Sequence, residues 1–157
     1  MRVGAHLWTA EGLLKTIKYL DYLKCDCLQI FLSNPRSWKR KEREKEEIVN
    51  FKRELMKRKI IPVVIHMPYI LNIAEENKMT RMKIIKLLEK EIEESESIGA
   101  EFYVVHPGFH KGIGEKKGIK NIIMVLKNFK DIKIKILLEN TSGQGSSIGY
   151  NFQQLGY

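Results

Sequence analysis

The sequence has few cysteines and no long apolar run, and both shortages narrow the class of protein. Cys25 and Cys27 are the only 2 cysteines among 157 residues. One intervening residue disfavours a disulfide between them, and no second pair exists to complete a cysteine-rich zinc site. No apolar run approaches the roughly 20 residues of a membrane-spanning helix, and the N-terminus lacks a signal-peptide layout. We therefore expect reduced thiols and a cytoplasmic protein with no membrane partner.

Acidic residues are in short supply relative to basic ones. The chain has 28 Lys and Arg against 19 Asp and Glu, which gives a formal net charge of +9. This excess favours a polyanionic partner, with nucleic acid or an anionic membrane surface as the first candidates. A Lys- and Glu-rich composition that only keeps a heat-stable protein soluble explains the charge equally well. Charge alone leaves both interpretations open.

Short apolar runs alternate with longer amphipathic stretches along the chain. The runs are at residues 1–6, 27–31, 60–66, 102–106 and 135–139. Helical periodicity predicts helices at 13–23, 40–59, 80–97 and 118–129. Strands alternating with helices are typical of a parallel sheet, and no linker divides residues 1–157 into more than one domain. Five strands would complete an open flavodoxin-like sheet but not a (β/α)₈ barrel, which takes about 250 residues.

Polar side chains lie at the carboxyl ends of these predicted strands. His6, His66 and His106 end three of the strands, and Glu139 ends the fifth. Ligands bind at this edge in parallel α/β folds, and two imidazoles with one carboxylate form a typical zinc set. A lone histidine is more often a hydrogen-bonded structural residue than a ligand. The shared strand-end position favours a metal site, with His66, His106 and Glu139 as candidate ligands.

The loop after the second predicted strand combines basic and aromatic side chains. Arg36 and Trp38 precede a basic run at residues 39–41. Arginine can contact phosphate, and aromatic side chains can stack on bases or wedge between them. Tyr69 follows the third strand and is expected on the same rim. From Lys41 onward the sequence fits a solvated helix face, because Glu42, Glu44, Glu46 and Glu47 soon neutralise the basic run. Arg36, Trp38 and Tyr69 are therefore candidate DNA-binding residues.

Together these motifs resemble endonuclease IV, the zinc-dependent apurinic/apyrimidinic endonuclease family of the xylose isomerase-like barrel superfamily. In order, the main matching segments are Gly4-Ala5-His6, Gln29-Ile30-Phe31, Asn34-Pro35-Arg36-Ser37-Trp38, His66-Met67-Pro68-Tyr69-Ile70-Leu71-Asn72-Ile73, His106-Pro107-Gly108-Phe109-His110 and Glu139-Asn140-Thr141-Ser142-Gly143-Gln144-Gly145. The resemblance covers nearly the whole chain. It implies a DNA-repair enzyme with a (β/α)₈ barrel and a centre of three zinc ions, which cleaves double-stranded DNA on the 5′ side of abasic sites.

The resemblance also assigns roles to individual residues. It implies that His66, His106 and Glu139 bind one zinc ion, and that Glu139 also bridges to a second, which makes it the catalytic candidate. Mn²⁺ stays open as an alternative to Zn²⁺. Arg36 and Tyr69 match residues that enter the DNA near the lesion. The two remaining histidines, His6 and His110, are candidates for supporting the metal ligands from nearby.

The sequence departs from the family pattern in three places. Trp8 and Glu11 replace a small Ser and a Gly of the first motif, and Phe109 replaces a small residue. Family members also continue through three more strands, which carry the remaining ligands. We therefore expect a TIM (β/α)₈-type barrel truncated after about the fifth strand. Such a chain is expected to be an oligomer or to associate with a complementing C-terminal chain, and to be weakly active or inactive alone.

Two alternatives of other classes stay open. One is a sugar isomerase or epimerase of the xylose isomerase-like barrels, which also place His and Glu at strand ends around a metal. The loop at 34–38, the motif at 139–145 and the positive charge argue against it. The other is a non-catalytic half-barrel remnant that binds DNA or zinc weakly. Turnover of a ketose would support the first, whereas zinc content and oligomeric state would identify the second.

Overall fold

The computed structural model describes residues 1–156 and contains one sheet of five parallel strands. The strands are β1 (Gly4–Leu7), β2 (Cys27–Ile30), β3 (Val63–His66), β4 (Phe102–Val105) and β5 (Lys135–Leu138). The helices that follow them in turn are α1 (Leu13–Leu23), α2 (Lys45–Arg58), α3 (Lys78–Ile98), α4 (Glu115–Leu126) and α5 (Phe152–Leu155).

The strand order of the sheet distinguishes the two architectures that the sequence left open. Each strand pairs in parallel with its neighbour along the chain, in the order β1-β2-β3-β4-β5. An open doubly wound sheet would reverse its strand order at a switch point, whereas barrel strands follow one another in sequence. The predicted α/β fold of the TIM-barrel type is therefore confirmed, with five strands forming a half barrel.

The two faces of the sheet differ in their burial. Alternate strand residues point to opposite faces, and the face beneath the helices carries fully buried side chains such as Ile30, Ile65 and Tyr103. The opposite face is here called the inner face. One row of neighbouring residues across its five strands is His6, Gln29, Val64, Phe102 and Lys135. No side chain of this row is fully buried. The main core therefore lies between the sheet and the helices.

The helices form where the apolar periodicity predicted them, with shifted ends. The predicted bounds of α1 are confirmed, and Leu13, Ile17 and Leu20 of its apolar face are buried. Gly99 ends α3 with a φ of 88°, a left-handed conformation that glycine adopts without strain. Helical periodicity predicts Ile48, Phe51, Leu55 and Met56 as the buried stripe of α2, and this prediction is wrong at Met56, which is exposed.

The predicted start of α2 was wrong by five residues. The helix begins at Lys45 rather than at residue 40, and residues 38–44 have no regular secondary structure. Arg40 and Arg43 lie in this segment and form ion pairs with glutamates of α3. Those contacts compete with the helical periodicity, which by itself would extend α2 through the segment.

No helix of residues 1–156 is both long and apolar enough to cross a bilayer.

Candidate metal centre

Three side chains from neighbouring strands meet at the carboxyl edge of the inner face. His66 is the last residue of β3, and His106 and Glu139 directly follow β4 and β5. The register pairs His66 with Val104 of β4, and Val104 with Leu137 of β5. Because residues two apart share a face, His106 and Glu139 continue the same inner face. One ligand atom from each of the three residues lies within 4.8 Å of the others.

One carboxylate oxygen of Glu139 faces both imidazoles of this set. Its Oε2 lies 3.1 Å from Nε2 of His66 and 3.2 Å from Nε2 of His106. The other ring nitrogen of His66, Nδ1, lies 2.8 Å from the carbonyl oxygen of Met67. A proton on Nδ1 satisfies that carbonyl and leaves the lone pair of Nε2 directed at Glu139. A neutral His66 in this tautomer therefore presents an electron pair to the point that the carboxylate also faces.

The surroundings favour neutral imidazoles at this edge. Burial lowers the pKa of His106, the negative charge of Glu139 partly opposes that effect, and the nearby His66 lowers the pKa further. The pKa of His6 is lowered by the same kinds of cause, with burial as the largest. Metal ligation requires the unprotonated imidazole. The lowered pKa of His106 therefore favours the unprotonated form that ligation requires.

Aromatic rings surround His66 and limit its motion. Its ring centroid lies 5.0 Å from that of Phe31, 5.3 Å from Tyr69 and 5.1 Å from His106. The ring of His6 stacks on it at 5.8 Å with an interplanar angle of 25°. His66 itself is only 4% exposed. Packing on several sides together with the Nδ1 contact fixes the direction of Nε2.

The two other histidines lie outside the set of converging ligand atoms. Nε2 of Gln29 lies 2.9 Å from Nδ1 of His6, and the amide donates to that nitrogen when the second ring nitrogen of His6 carries the proton. His110 lies on the loop after β4, where its Nδ1 accepts from the Gly112 amide at 3.3 Å. His6 thus stacks on the ring of His66, whereas the ring of His110 forms a hydrogen bond within its own loop. Their predicted supporting roles stay predictions.

The loops that carry the candidate ligands are joined by hydrogen bonds. The amide of Phe109 donates to Oδ1 of Asn72 at 2.8 Å, and Nδ2 of Asn72 donates to the Phe109 carbonyl at 2.9 Å. On the far side, the amide of Ile148 donates to the Gly108 carbonyl at 2.8 Å. The turn that follows His106 is therefore held between the loop after β3 and the loop after β5.

Gly108 allows this close approach of the loops. Its φ is 95°, and a Cβ at this position would lie 2.1 Å from Oδ1 of Asn72. No side chain fits at that distance. Asn72 lies in the motif at residues 66–73, but the sequence alone assigned it no role. A role for Asn72 could have been suggested only by its being a polar residue shortly after the Met67-Pro68 that ends β3, and that pattern also fits an ordinary turn.

The predicted DNA-binding residues lie on the rim beside the ligand set. Arg36 is exposed, and Trp38 and Tyr69 are 43% and 54% exposed. The amide of Ile70 donates to the Pro35 carbonyl at 3.1 Å, which joins the two loops that carry these residues. A hollow of about 280 Å³ lies beside the set, lined by His6, Leu7, Trp8, Phe31, Pro35, Arg36 and Tyr69. The rim therefore combines a cation with apolar walls next to the converging ligands.

The donor set fits a divalent cation such as zinc. Two imidazole nitrogens and one carboxylate oxygen are the ligands that zinc prefers, and three protein ligands leave a coordination position open. With Nδ1 of His66 protonated, its Nε2 lone pair and the carboxylate would repel each other across 3.1 Å. A cation between them would remove that repulsion. His66, His106 and Glu139 would hold the ion.

Comparison with known proteins places these observations in context. A family model described as "Xylose isomerase-like TIM barrel" matches residues 17–157. A protein of Halothermothrix orenii and one of Cenarchaeum symbiosum, both named "Probable endonuclease 4", are 40% and 39% identical to this chain. Each alignment covers 99% of this chain and 57% of the relative. The chain therefore spans little more than half the length of these curated relatives.

Solved structures give the same picture of the fold. The crystal structure of endonuclease IV from Thermus thermophilus matches with a TM-score of 0.83 and 27% identity, over 99% of this chain and 57% of the other. A D-tagatose 3-epimerase-like protein matches with a TM-score of 0.78 and 21% identity, over 99% and 58% of the two chains. The second similarity shows a shared fold alone.

Proposed function

Because this chain belongs to the xylose isomerase-like TIM barrel family, as its resemblance to endonuclease IV predicted, we propose that it forms the N-terminal part of a DNA-repair endonuclease. The proposed reaction is hydrolysis of the phosphodiester bond on the 5′ side of an abasic site in double-stranded DNA. The proposed cofactor is zinc, with Mn²⁺ as the alternative. The proposal concerns an activity of the whole enzyme, of which this chain spans little more than half the relatives' length.

The observation that carries the proposal is the convergence of His66, His106 and Glu139 on one point. The carboxylate uses the same oxygen, Oε2, toward both imidazoles. By the resemblance, Glu139 would also bridge to a second metal ion. The relatives named endonuclease 4 support the nuclease reading, and the net charge of +9 fits a polyanionic substrate.

In the proposed enzyme, the residues of the metal centre would bind the ion, and the residues of the rim would contact the DNA. A bound zinc ion supplies Lewis-acid stabilisation of the charge that develops on a phosphate oxygen. His66, His106 and Glu139 would hold that ion. Arg36 offers five N–H donors to phosphate oxygens, and Trp38 and Tyr69 offer exposed rings that can stack on bases or wedge between them. The hollow beside Tyr69 can accept the deformed strand near the lesion.

Incision of a defined substrate tests this function. A duplex with one abasic-site analogue, labelled at its 5′ end, is incubated with the zinc-loaded chain, alone and mixed with the remaining part of a full-length relative. The mixture should cut on the 5′ side of the analogue, and the chain alone should cut far more slowly. An intact duplex is the matched control.

Other outcomes of this experiment would support the alternatives. Turnover of a ketose such as fructose, without incision in either arm, would favour the sugar isomerase or epimerase. Binding of zinc and DNA without incision in the reconstituted mixture would favour a non-catalytic half barrel. Equal cutting of the intact duplex and the abasic substrate would contradict the proposed lesion specificity.

A further inference from the structure

A buried cluster of four charged side chains lies between α3 and the loop after β2. Nη1 of Arg43 lies 2.5 Å from Oε1 of Glu94, and Nη1 of Arg40 lies 3.5 Å from Oε1 of Glu91. Arg40 also pairs with Glu94. The side chains of Arg43 and Glu91 are 0% exposed, and those of Arg40 and Glu94 are 16% and 11% exposed. Charged side chains are almost never fully buried unless they are paired.

The cluster holds the loop of residues 31–44, here called the recognition loop, near both of its ends. Arg43 lies near the end of the loop and donates to the carbonyl of Leu32 near its start. Its Nη2 also lies 3.3 Å from Oγ1 of Thr9, whose hydroxyl donates to the Phe31 carbonyl at 2.7 Å. These contacts close the recognition loop into a ring. Arg36 and Trp38 lie at the exposed part of that ring.

The cluster is poorly suited to stabilise the fold by itself. Removing two charges from water costs several kcal/mol per ion, and well-packed apolar residues often replace a buried pair without loss of stability. Burial raises the pKa of Glu91 to about 7, and the nearby Arg40 only partly offsets that effect. Nη1 of Arg40 and Oε1 of Glu91 are buried without a hydrogen-bond partner. The Arg40–Glu91 pair therefore contributes little to the stability of the fold, and a role in fixing the position of the loop accounts for it better.

We propose that Arg40 and Glu91 are positioning residues for DNA recognition, which hold the recognition loop so that Arg36 and Trp38 face the carboxyl edge of the sheet. The inference rests on the proposed function. It also changes the interpretation of the basic run at residues 39–41. Lys39 and Lys41 are exposed, and Nζ of Lys41 donates to the Ala10 carbonyl at 3.2 Å, whereas Arg40 points into the protein toward α3.

A paired substitution tests the role without leaving a buried charge unpaired. The double variant Arg40→Met/Glu91→Met removes one basic and one acidic residue together and leaves Arg43 paired with Glu94. Methionine preserves most of the apolar packing. We expect a folded protein whose affinity for a duplex containing an abasic-site analogue is weaker by roughly fivefold, because the middle of the loop loses its contacts with α3 while Arg43 still holds its ends. Fluorescence anisotropy measures the affinity, and circular dichroism measures folding.

Two further measurements separate positioning from a general structural effect. Trypsin should cleave at Lys39 and Lys41 faster in the double variant than in the parent. The single variant Arg40→Lys keeps a cation that can reach Glu91, and it should retain most of the preference for the abasic duplex over the intact one. Slower or unchanged cleavage together with parental DNA affinity in the double variant would overturn the proposal.

A matched control uses an ion pair elsewhere in the fold. Arg58 of α2 pairs with Asp21 of α1, and Arg58→Met/Asp21→Asn also removes one basic and one acidic residue together. This control should bind DNA like the parent, and equal weakening in both double variants would refute a specific role of Arg40 and Glu91. A parent without any preference for the abasic duplex would instead refute the proposed function, so the two failures are distinguishable.

Discussion

Asn72 and Phe109 exchange two hydrogen bonds across the loops that follow β3 and β4. The backbone N–H of Phe109 donates to Oδ1 of Asn72 at 2.8 Å, and Nδ2 of Asn72 donates to the backbone carbonyl of Phe109 at 2.9 Å. Asn72 is only 9% exposed, so water cannot easily replace these contacts. Phe109 follows the turn that begins at His106. The pair therefore connects the geometry of one candidate metal ligand to the loop that follows the other histidine ligand.

We expect Asn72→Ala to lower both stability and metal affinity. The variant loses the two partly buried hydrogen bonds to Phe109 and the buried one that Asn72 Oδ1 accepts from the Ala74 amide. These losses should lower the free energy of unfolding by roughly 2 kcal/mol. A freed His106 turn should weaken zinc binding by about tenfold. Asn121→Ala is the control, because buried Asn121 donates to the Ala74 carbonyl without touching that turn. Urea unfolding and zinc titration measure the two effects. Unchanged zinc affinity in a destabilised Asn72→Ala variant would show a role in folding only.

Metal binding by the 157-residue chain should depend on the three converging side chains. Protein purified without chelator and dialysed against zinc should hold about one ion per chain at N and O ligands of about 2.0–2.2 Å. His106→Ala and Glu139→Gln should each weaken binding by at least about tenfold, because each removes one of three ligands. Glu89→Gln, on the exposed side of α3, controls for loss of a carboxylate. Metal analysis and X-ray absorption measure content and distances, and a stoichiometry near zero after zinc addition would contradict the assignment.

The sequence predicted the sheet and most helices because their signals are local. Each strand is a short apolar run before a turn, and the parallel arrangement follows from the helices between the strands. The convergence of His66, His106 and Glu139 followed from the rule that parallel strands share a carboxyl edge. Their roles as ligands stay predictions, because the rule places side chains without identifying an ion.

The features that the sequence did not predict depend on contacts between distant segments. The sequence placed Arg40 at the start of a charged helix, yet the structure turns Arg40 toward Glu91, which is 51 residues further along the chain. In the sequence, Glu91 lies at helical spacing from the apolar residues Leu87, Leu88 and Ile92, a pattern that names no partner for it. Nothing in either segment identifies the other as its partner. For the same reason helical periodicity extended α2 into a segment that tertiary ion pairs keep out of the helix.

Recognition of the abasic duplex should depend on the rim residues. Arg36→Ala and Tyr69→Ala should each reduce the preference for abasic over intact duplex, since Arg36 can reach phosphate and Tyr69 borders the hollow beside the ligand set. Exposed residues on α2 and α1 give the matched controls Arg53→Ala and Tyr22→Ala. Competition binding at two salt concentrations measures the preference separately from general charge attraction. Parental preference in both rim variants would refute the recognition assignment.

The stability of the chain should carry a pH dependence that originates at Glu91. Its pKa is raised from 4.5 to about 7 by burial, with Arg40 and Tyr103 opposing the shift and Glu94 adding to it. Between those pH values the folded state keeps a proton that the unfolded state releases. The resulting stabilisation is therefore complete below about pH 4.5 and is lost as the pH rises to about 7.

The variant Glu91→Gln stays neutral and should lack this component. Relative to that variant, the parent should lose on the order of 3 kcal/mol of unfolding free energy between pH 4.5 and pH 7. Urea unfolding of both proteins at several pH values measures the difference. Glu93→Gln changes an exposed carboxylate on the same helix and should follow the parent at every pH. Parallel pH profiles of the parent and Glu91→Gln would contradict the expectation.

The inner face of the sheet should make the isolated 157-residue chain associate. Within residues 1–156, β1 and β5 each pair with one strand only, so both present an unpaired backbone edge. The apolar side chains Val64, Phe102 and Val104 of the inner face are only partly buried, and Leu137 is 41% exposed. Unpaired edges beside an exposed apolar face favour strand pairing with another chain.

Substitution on that face separates its contribution from general surface hydrophobicity. Leu137→Lys places a charge on the inner face at the edge strand β5 and should shift the chain toward monomer, as measured by size exclusion with light scattering over a range of concentrations. Leu14→Lys is the matched control, since Leu14 is 42% exposed on α1, outside the inner face. It should leave the association unchanged, because the driving surface lies on the other side of the sheet. A parent chain that stays monomeric at high concentration, or equal effects of the two substitutions, would show that the inner face does not drive association.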